Sequence, residues 1–280
     1  MLRIITAYTL LTLSAAIANE SQTTDFASEK LFQIASKEEN FYKRLAEDPE
    51  FYTEADMDQR VNELVQSYRA YLTEQPNDVS ALILYGKLLR RVELYDEAFT
   101  AFLKADSLDP KLAVVKQQIG THLAEQNKGR AALPFYLTAI ELEPKTALYH
   151  FSLGQLLHQF RDDYVSEKVF TANALEREML KAYRQAVNLE PENFAYTMRL
   201  GEAYYDMSSP DWRAALLQWN KALKNFGEME PLRAEIINLH RANVLVKLGR
   251  LEEAQALTDA ITHPNLQHSK QKVLDSILVH

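Results

Sequence analysis

Seven histidines, His122, His150, His158, His240, His263, His268 and His280, are the side chains of this 280-residue chain best suited to proton transfer or metal binding. His150 and His158 lie eight apart, about two helical turns, too far for a chelate built on one helix. The carboxylate pairs Asp162-Asp163 and Glu252-Glu253 are adjacent, so on a helix or turn they diverge and read as solvated charge. Neither the zinc-protease pattern H-E-x-x-H nor the nucleophile elbow G-x-S-x-G occurs. With no cysteine, thiolate zinc sites, iron–sulfur clusters, disulfides and cysteine nucleophiles are excluded. The seven glycines are few against a usual level of roughly 7%. No two stand closer than Gly120 and Gly129, which excludes the glycine-rich loops that cradle phosphates. No catalytic residue, cofactor or metal ligand is therefore assigned.

The few glycines instead mark the elements. Gly86, Gly120 and Gly154 are spaced by 34, and so are Pro76, Pro110 and Pro144. Two residue types keeping one step of this length are the mark of a solenoid of repeated units. In the first unit, from Val79, the recurring residues are Leu82, Tyr85-Gly86, Leu89, Ala98, Phe102, Ala105 and Pro110. In the second they are Ile119-Gly120, Leu123, Ala132, Tyr136, Ala139 and Pro144. This resembles the tetratricopeptide repeat, two antiparallel helices, A and B, in 34 residues. A glycine inside a helix costs ~1 kcal/mol against alanine, so Gly86, Gly120 and Gly154 imply helices in close contact, with Phe102 and Tyr136 filling the space beside small Ala98 and Ala132. The expected fold is all-α, a right-handed α-solenoid of antiparallel helix pairs with about four to five repeats and terminal capping helices.

The step then breaks. From Gly154 to Gly201 is 47 residues, which places an insertion at about 161–172, apolar at Tyr164, Val165, Val169 and Phe170. Asn173 with Glu176 three residues on predicts an N-cap for the lengthened helix that follows. The fourth unit carries Leu200-Gly201, Tyr204, Ala215, Trp219 and Ala222, with about two extra residues around Ser208-Ser209-Pro210. The fifth, with Ala242 in the glycine slot, is degenerate. Trp212 and Trp219, seven apart, share one helix face and read as core. The solenoid is expected over 79–261. A helix from about Phe26 to Leu45 begins an N-terminal cap with a degenerate repeat over 19–78, and Val273, Leu274, Ile277 and Leu278 form the stripe of a C-terminal cap over 262–280.

At the N-terminus, Arg3, the apolar stretch Ile4 to Leu13 and Ala16-Ile17-Ala18 have the layout of a secretory signal peptide, residues 1–18, cleaved near Ala18. The apolar run is shorter than the ~20 residues that span a bilayer, and no later segment is a transmembrane anchor. Export without cysteine suits a periplasm. The formal net charge of −8 has the wrong sign for a nucleic-acid partner.

The resemblance implies a concave groove lined by the first helix of each unit, binding a protein or peptide. Carried over, the lining is Ile83, Lys87, Arg90 and Arg91 in the first unit and Gln117, Thr121 and Glu125 in the second. Phe151, Gln155 and His158 follow in the third, Met198, Glu202, Tyr205 and Asp206 in the fourth, and Asn243 and Lys247 in the fifth. The gradient runs from basic through aromatic to acidic. The family's clamp for acidic chaperone tails is not implied, because Gln117 and Thr121 stand where Lys87 would need partners. The implied function is an exported scaffold or adaptor in envelope assembly, secretion or cell-wall metabolism. The alternatives are an enzyme or carbohydrate-binding accessory with a groove site around Phe151, His158 and Tyr205, and a structural protein that self-associates end to end. Tyr164 and Phe170 of the insertion are candidate partner contacts, or padding against the third unit.

Overall fold

A computed structural model describes residues 26–226 and 230–279, so the expected signal peptide lies outside the described residues. Among the described residues there are fourteen α-helices and no strand. The chain forms two compact units, residues 1–119 and 120–280, each a succession of helix pairs of the expected α-solenoid type.

Unit 1 contains α1 (Phe26–Glu47), α2 (Glu54–Glu74), α3 (Val79–Arg91), α4 (Tyr95–Leu108) and the start of α5 (Ala113–Glu125). α1 packs on α2, α2 on α3 and α3 on α4. Their starts are written in short polar side chains. Thr53 and Asp56 form a reciprocal capping box on α2, and Asp78 accepts from the Ala81 N–H at the start of α3 while Tyr71 Oη donates to it. α1 buries Leu31, Ile34 and Phe41. On α3, a Cβ added to Gly86 would stand 2.8 Å from the Phe102 ring of α4. Helix contact of that closeness is the reason for the glycine, as the repeat register predicts.

Unit 2 holds α6 (Gly129–Leu142), α7 (Ala147–Gln159), α8 (Arg161–Ser166), α9 (Ala172–Leu189), α10 (Phe194–Ala203), α11 (Trp212–Phe226), α12 (Pro231–Lys247), α13 (Leu251–Asp259) and α14 (Gln267–Leu278). α7 pairs with α9, α10 with α11 and α12 with α13, and α14 packs on α12 and α13. Its core includes fully buried Trp219, Tyr183, Phe226, Leu156 and Leu157, whereas Trp212 is half-buried. The turns leading to α4, α6 and α13 each place a left-handed residue two positions before the helix, Glu93 (φ 65°), Asn127 (φ 57°) and Gly249 (φ 72°).

Two local expectations are corrected, at the start of α9 and on α14. The cap of α9 is Thr171, whose side chain accepts from the Ala174 N–H, not Asn173, and Glu176 is drawn into a buried ion pair instead of a capping box. His150, in the slot that Leu82 fills in the first unit, is half-buried and its Nε2 lies 2.8 Å from the Pro144 carbonyl. Leu278 is 84% exposed, so the apolar stripe of α14 is carried by Val273, Leu274 and Ile277 alone. Among the described residues, no helix is long and apolar enough to cross a membrane.

Candidate functional site

In unit 1 the predicted basic residues Lys87, Arg90 and Arg91 sit on one face of α3, but α1 supplies a carboxylate to them. Glu38, its side chain only 12% exposed, accepts from Tyr68 Oη at 2.8 Å and lies 3.6 Å from Arg91 Nη1. The Arg91 guanidinium also rests 3.9 Å over the Tyr42 ring. Burial pushes the Glu38 carboxyl above its usual range, and the Tyr68 hydrogen bond, Arg91 and Lys87 counter only part of that. Burial likewise lowers Lys87, against the attraction of Glu38. Tyr42 is pushed up to about 12, again chiefly by burial. Arg90 stands over Tyr95 at 5.5 Å. The basic charge at this end of the predicted lining is therefore answered in part by Glu38. Gln117 on α5 is 7% exposed and offers little surface to a partner, so its assignment to an open lining is corrected.

Glu38 lies outside the 34-residue register, which begins at Val79. Its signal is a lone acid in the apolar stripe Leu31, Ile34, Glu38, Phe41, Leu45.

In unit 2, α7 carries Phe151, Gln155 and His158 and α10 carries Met198 and Glu202, with Tyr205 just past the end of α10. Phe151 stacks on Tyr196, centroids 4.4 Å apart, and meets the edge of Tyr183. Gln155 and His158 are exposed, while Met198, Glu202 and Tyr205 are half-buried. His158 Nδ1 lies 3.2 Å from Asp206 Oδ2, to which Arg199 donates at 2.9 Å. Burial, Arg199 and Arg161 together lower the His158 pKa against the pull of Asp206, which favours the neutral imidazole. Arg199 also stands 4.8 Å from the Tyr183 ring centre.

Behind this face, Arg161 donates to the Asp206 carbonyl, to Glu176 and to Ser208 Oγ. The Ser208 N–H and hydroxyl donate to the same Glu176 oxygen. The insertion and the enlarged turn of the fourth repeat are thereby tied to each other, a role for Arg161, Glu176 and Arg199 that the repeat register alone did not reveal. Tyr205 stacks on His240, which stacks in turn on Trp219 at 4.2 Å. Burial drives the His240 pKa down to about 4.

Of the two readings of the insertion, padding is the one that holds at Tyr164. Its ring is 1% exposed and its hydroxyl donates to the Gly129 carbonyl at 2.8 Å. Phe170, half-buried, packs edge-on against Tyr164. Gly129 was left without a role by the repeat register; an added Cβ there would stand 2.3 Å from the Phe160 ring. Among the described residues, no group of three or more His, Cys, Asp or Glu could hold a metal ion.

The sequence model of the tetratricopeptide repeat family matches residues 79–112, which contain α3 and α4. No curated protein matches the sequence. Among solved structures, PilW, titled a widely conserved type IV pilus biogenesis factor, is 13% identical with a TM-score of 0.59, over 90% of this chain and 100% of that one. YrrB, titled a TPR protein with an unusual peptide-binding site, is 14% identical with a TM-score of 0.56, over 76% of this chain and 97% of that one. MamA from Desulfovibrio magneticus RS-1 is 18% identical with a TM-score of 0.53, over 72% of this chain and 97% of that one. At such identities the likeness is one of fold. Residues 79–112 thus match a tetratricopeptide repeat, and the fold is the α-solenoid of antiparallel helix pairs seen in those proteins.

Proposed function

We propose that this protein is an exported scaffold or adaptor of the cell envelope that holds a protein or peptide segment against the first helices of its repeats. The observation that carries the reading is the face of α7 and α10. Within unit 2 the second helices α9 and α11 bury large residues such as Met179, Tyr183 and Trp219. The face of α7 and α10, by contrast, leaves Gln155 and His158 exposed and Met198, Glu202 and Tyr205 half-exposed. Polar tips beside aromatic rings suit recognition of an extended chain. YrrB, a fold neighbour, carries a peptide-binding site by its title, which agrees with this use of the fold. The leader-like residues 1–18 and the absence of cysteine support export.

An enzyme or carbohydrate site around Phe151, His158 and Tyr205 is less favoured, because the three side chains do not converge. Phe151 stacks on Tyr196, His158 faces Asp206 and Tyr205 stacks on His240.

Affinity capture from the envelope extract of the source cell tests the reading. Wild type is compared with Arg90→Glu/Arg91→Glu in unit 1 and Gln155→Glu/His158→Glu in unit 2, with circular dichroism as the check on folding. A protein retained by wild type and lost by a folded variant is the expected result. Capture unchanged by both variants would overturn it.

A further inference from the structure

The face of α7 and α10 contains a charge imbalance with a definite location. Arg161 and Arg199 are the cations of the cluster, and Glu176, Asp206 and Glu202 its carboxylates. Arg161 is held by Glu176 and Arg199 by Asp206, leaving Glu202 in surplus. Among the described residues the Glu202 carboxylate has neither a hydrogen-bond nor an ion-pair partner, although it is half-buried near Arg199 and Asp206. Both arginines are already committed, Arg161 to three acceptors and Arg199 to Asp206 and the Tyr183 ring, so neither turns to Glu202 without undoing those contacts. A carboxylate that has lost part of its water without gaining a cation is favourably completed by one from outside. On α10, Met198 lies one turn before Glu202, and Tyr205 follows just past the helix end, where its N–H donates to the Glu202 carbonyl; both side chains are half-buried. These give an apolar and aromatic bed for the stem of a long side chain, as lysine and arginine stems require.

We infer that Glu202 is the recognition point for a single lysine or arginine side chain of a partner polypeptide, its stem lying between Met198 and Tyr205. This rests on the groove reading above and gives it a chemistry: the partner segment is basic at one position and apolar beside it. Charge complementarity selects that occupant, since an acidic segment would meet Glu202 with no free cation to offset it.

Panning a phage-displayed library of random dodecapeptides against the full chain tests the inference. The expected outcome is enrichment of Lys or Arg at one fixed position next to an apolar residue. The synthetic form of the most enriched peptide should bind Glu202→Gln roughly tenfold more weakly, with the melting temperature unchanged. With that peptide's basic residue changed to methionine, Glu202→Gln should make no further difference, which separates direct contact from a general weakening. Enriched peptides that lack a fixed basic position, or that bind wild type and Glu202→Gln alike, overturn the assignment to Glu202 and leave the groove reading standing. Failure of any peptide to enrich over background overturns the groove reading and this inference with it.

Discussion

Each unit holds a partly buried carboxylate, Glu38 on α1 and Glu202 on α10, and the two are partnered in opposite ways. In unit 1, Glu38 is enclosed by Tyr68, Arg91 and Lys87, so a face that reads as basic from α3 alone is partly neutralised by α1. In unit 2, two arginines are absorbed by Glu176 and Asp206, and Glu202 is left over. What a groove offers a partner is therefore set less by the charges along its lining helices than by which of them their neighbours have already answered.

The largest expected effect breaks this difference directly. Glu38→Lys would gather three cations on a half-buried face and deprive Tyr68 of its acceptor, a loss of about 3 kcal/mol in urea unfolding. Glu202→Lys turns the cluster's surplus from one negative charge to one positive charge beside Asp206 without breaking a side-chain hydrogen bond or ion pair, and should lose about 1 kcal/mol or less. Equal losses would mean that the two carboxylates are not differently partnered.

A second test uses the opposite titrations of the two units. Glu38 is raised, so the folded state takes up its proton before the unfolded one, and this contribution to stability grows as pH falls toward 4.5. His240 is lowered from 6.5 to about 4, so the unfolded state is protonated first and stability is lost as pH falls between those values. Across that window wild type should lose about 2 kcal/mol relative to His240→Phe, a replacement that keeps a ring against Trp219 and Tyr205. Relative to Glu38→Gln, wild type should gain. Thermal melts of the three proteins at pH 7 and pH 4.5 read both slopes, and slopes of the same sign would contradict the contrast.

The smallest effect compares equivalent turns. Glu93 in unit 1 and Gly249 in unit 2 hold the same left-handed conformation, which favours glycine. Glu93→Gly should stabilise by about 0.5–1 kcal/mol and Gly249→Glu destabilise by about 1 kcal/mol, both measurable as shifts of the unfolding midpoint.

The helix pairs were legible because close packing must recur at each step, and only glycine allows the approach of the Phe102 ring to α3 at Gly86. Glu38 was not, since α1 has 22 residues where α3 has 13, and the longer helix leaves the repeat register. The link from Arg161 to Ser208 escaped for another reason. Both irregularities were located from their lengths, but nothing in one dimension says that positions 47 apart meet. Tyr164 shows how composition misleads: an apolar insertion looks like a lure for a partner until burial shows that it is core.

Gly129 has a consequence for how this chain can evolve. Arrays of this kind lengthen or shorten when recombination copies or drops a whole unit, which works where every junction is interchangeable. Here the ring of Phe160 lies against Gly129 and the hydroxyl of Tyr164 ends on its carbonyl. A unit spliced in between would strand a buried tyrosine hydroxyl and open a hole under Phe160. Copying or dropping the second or third repeat without the other should therefore cost stability at this junction.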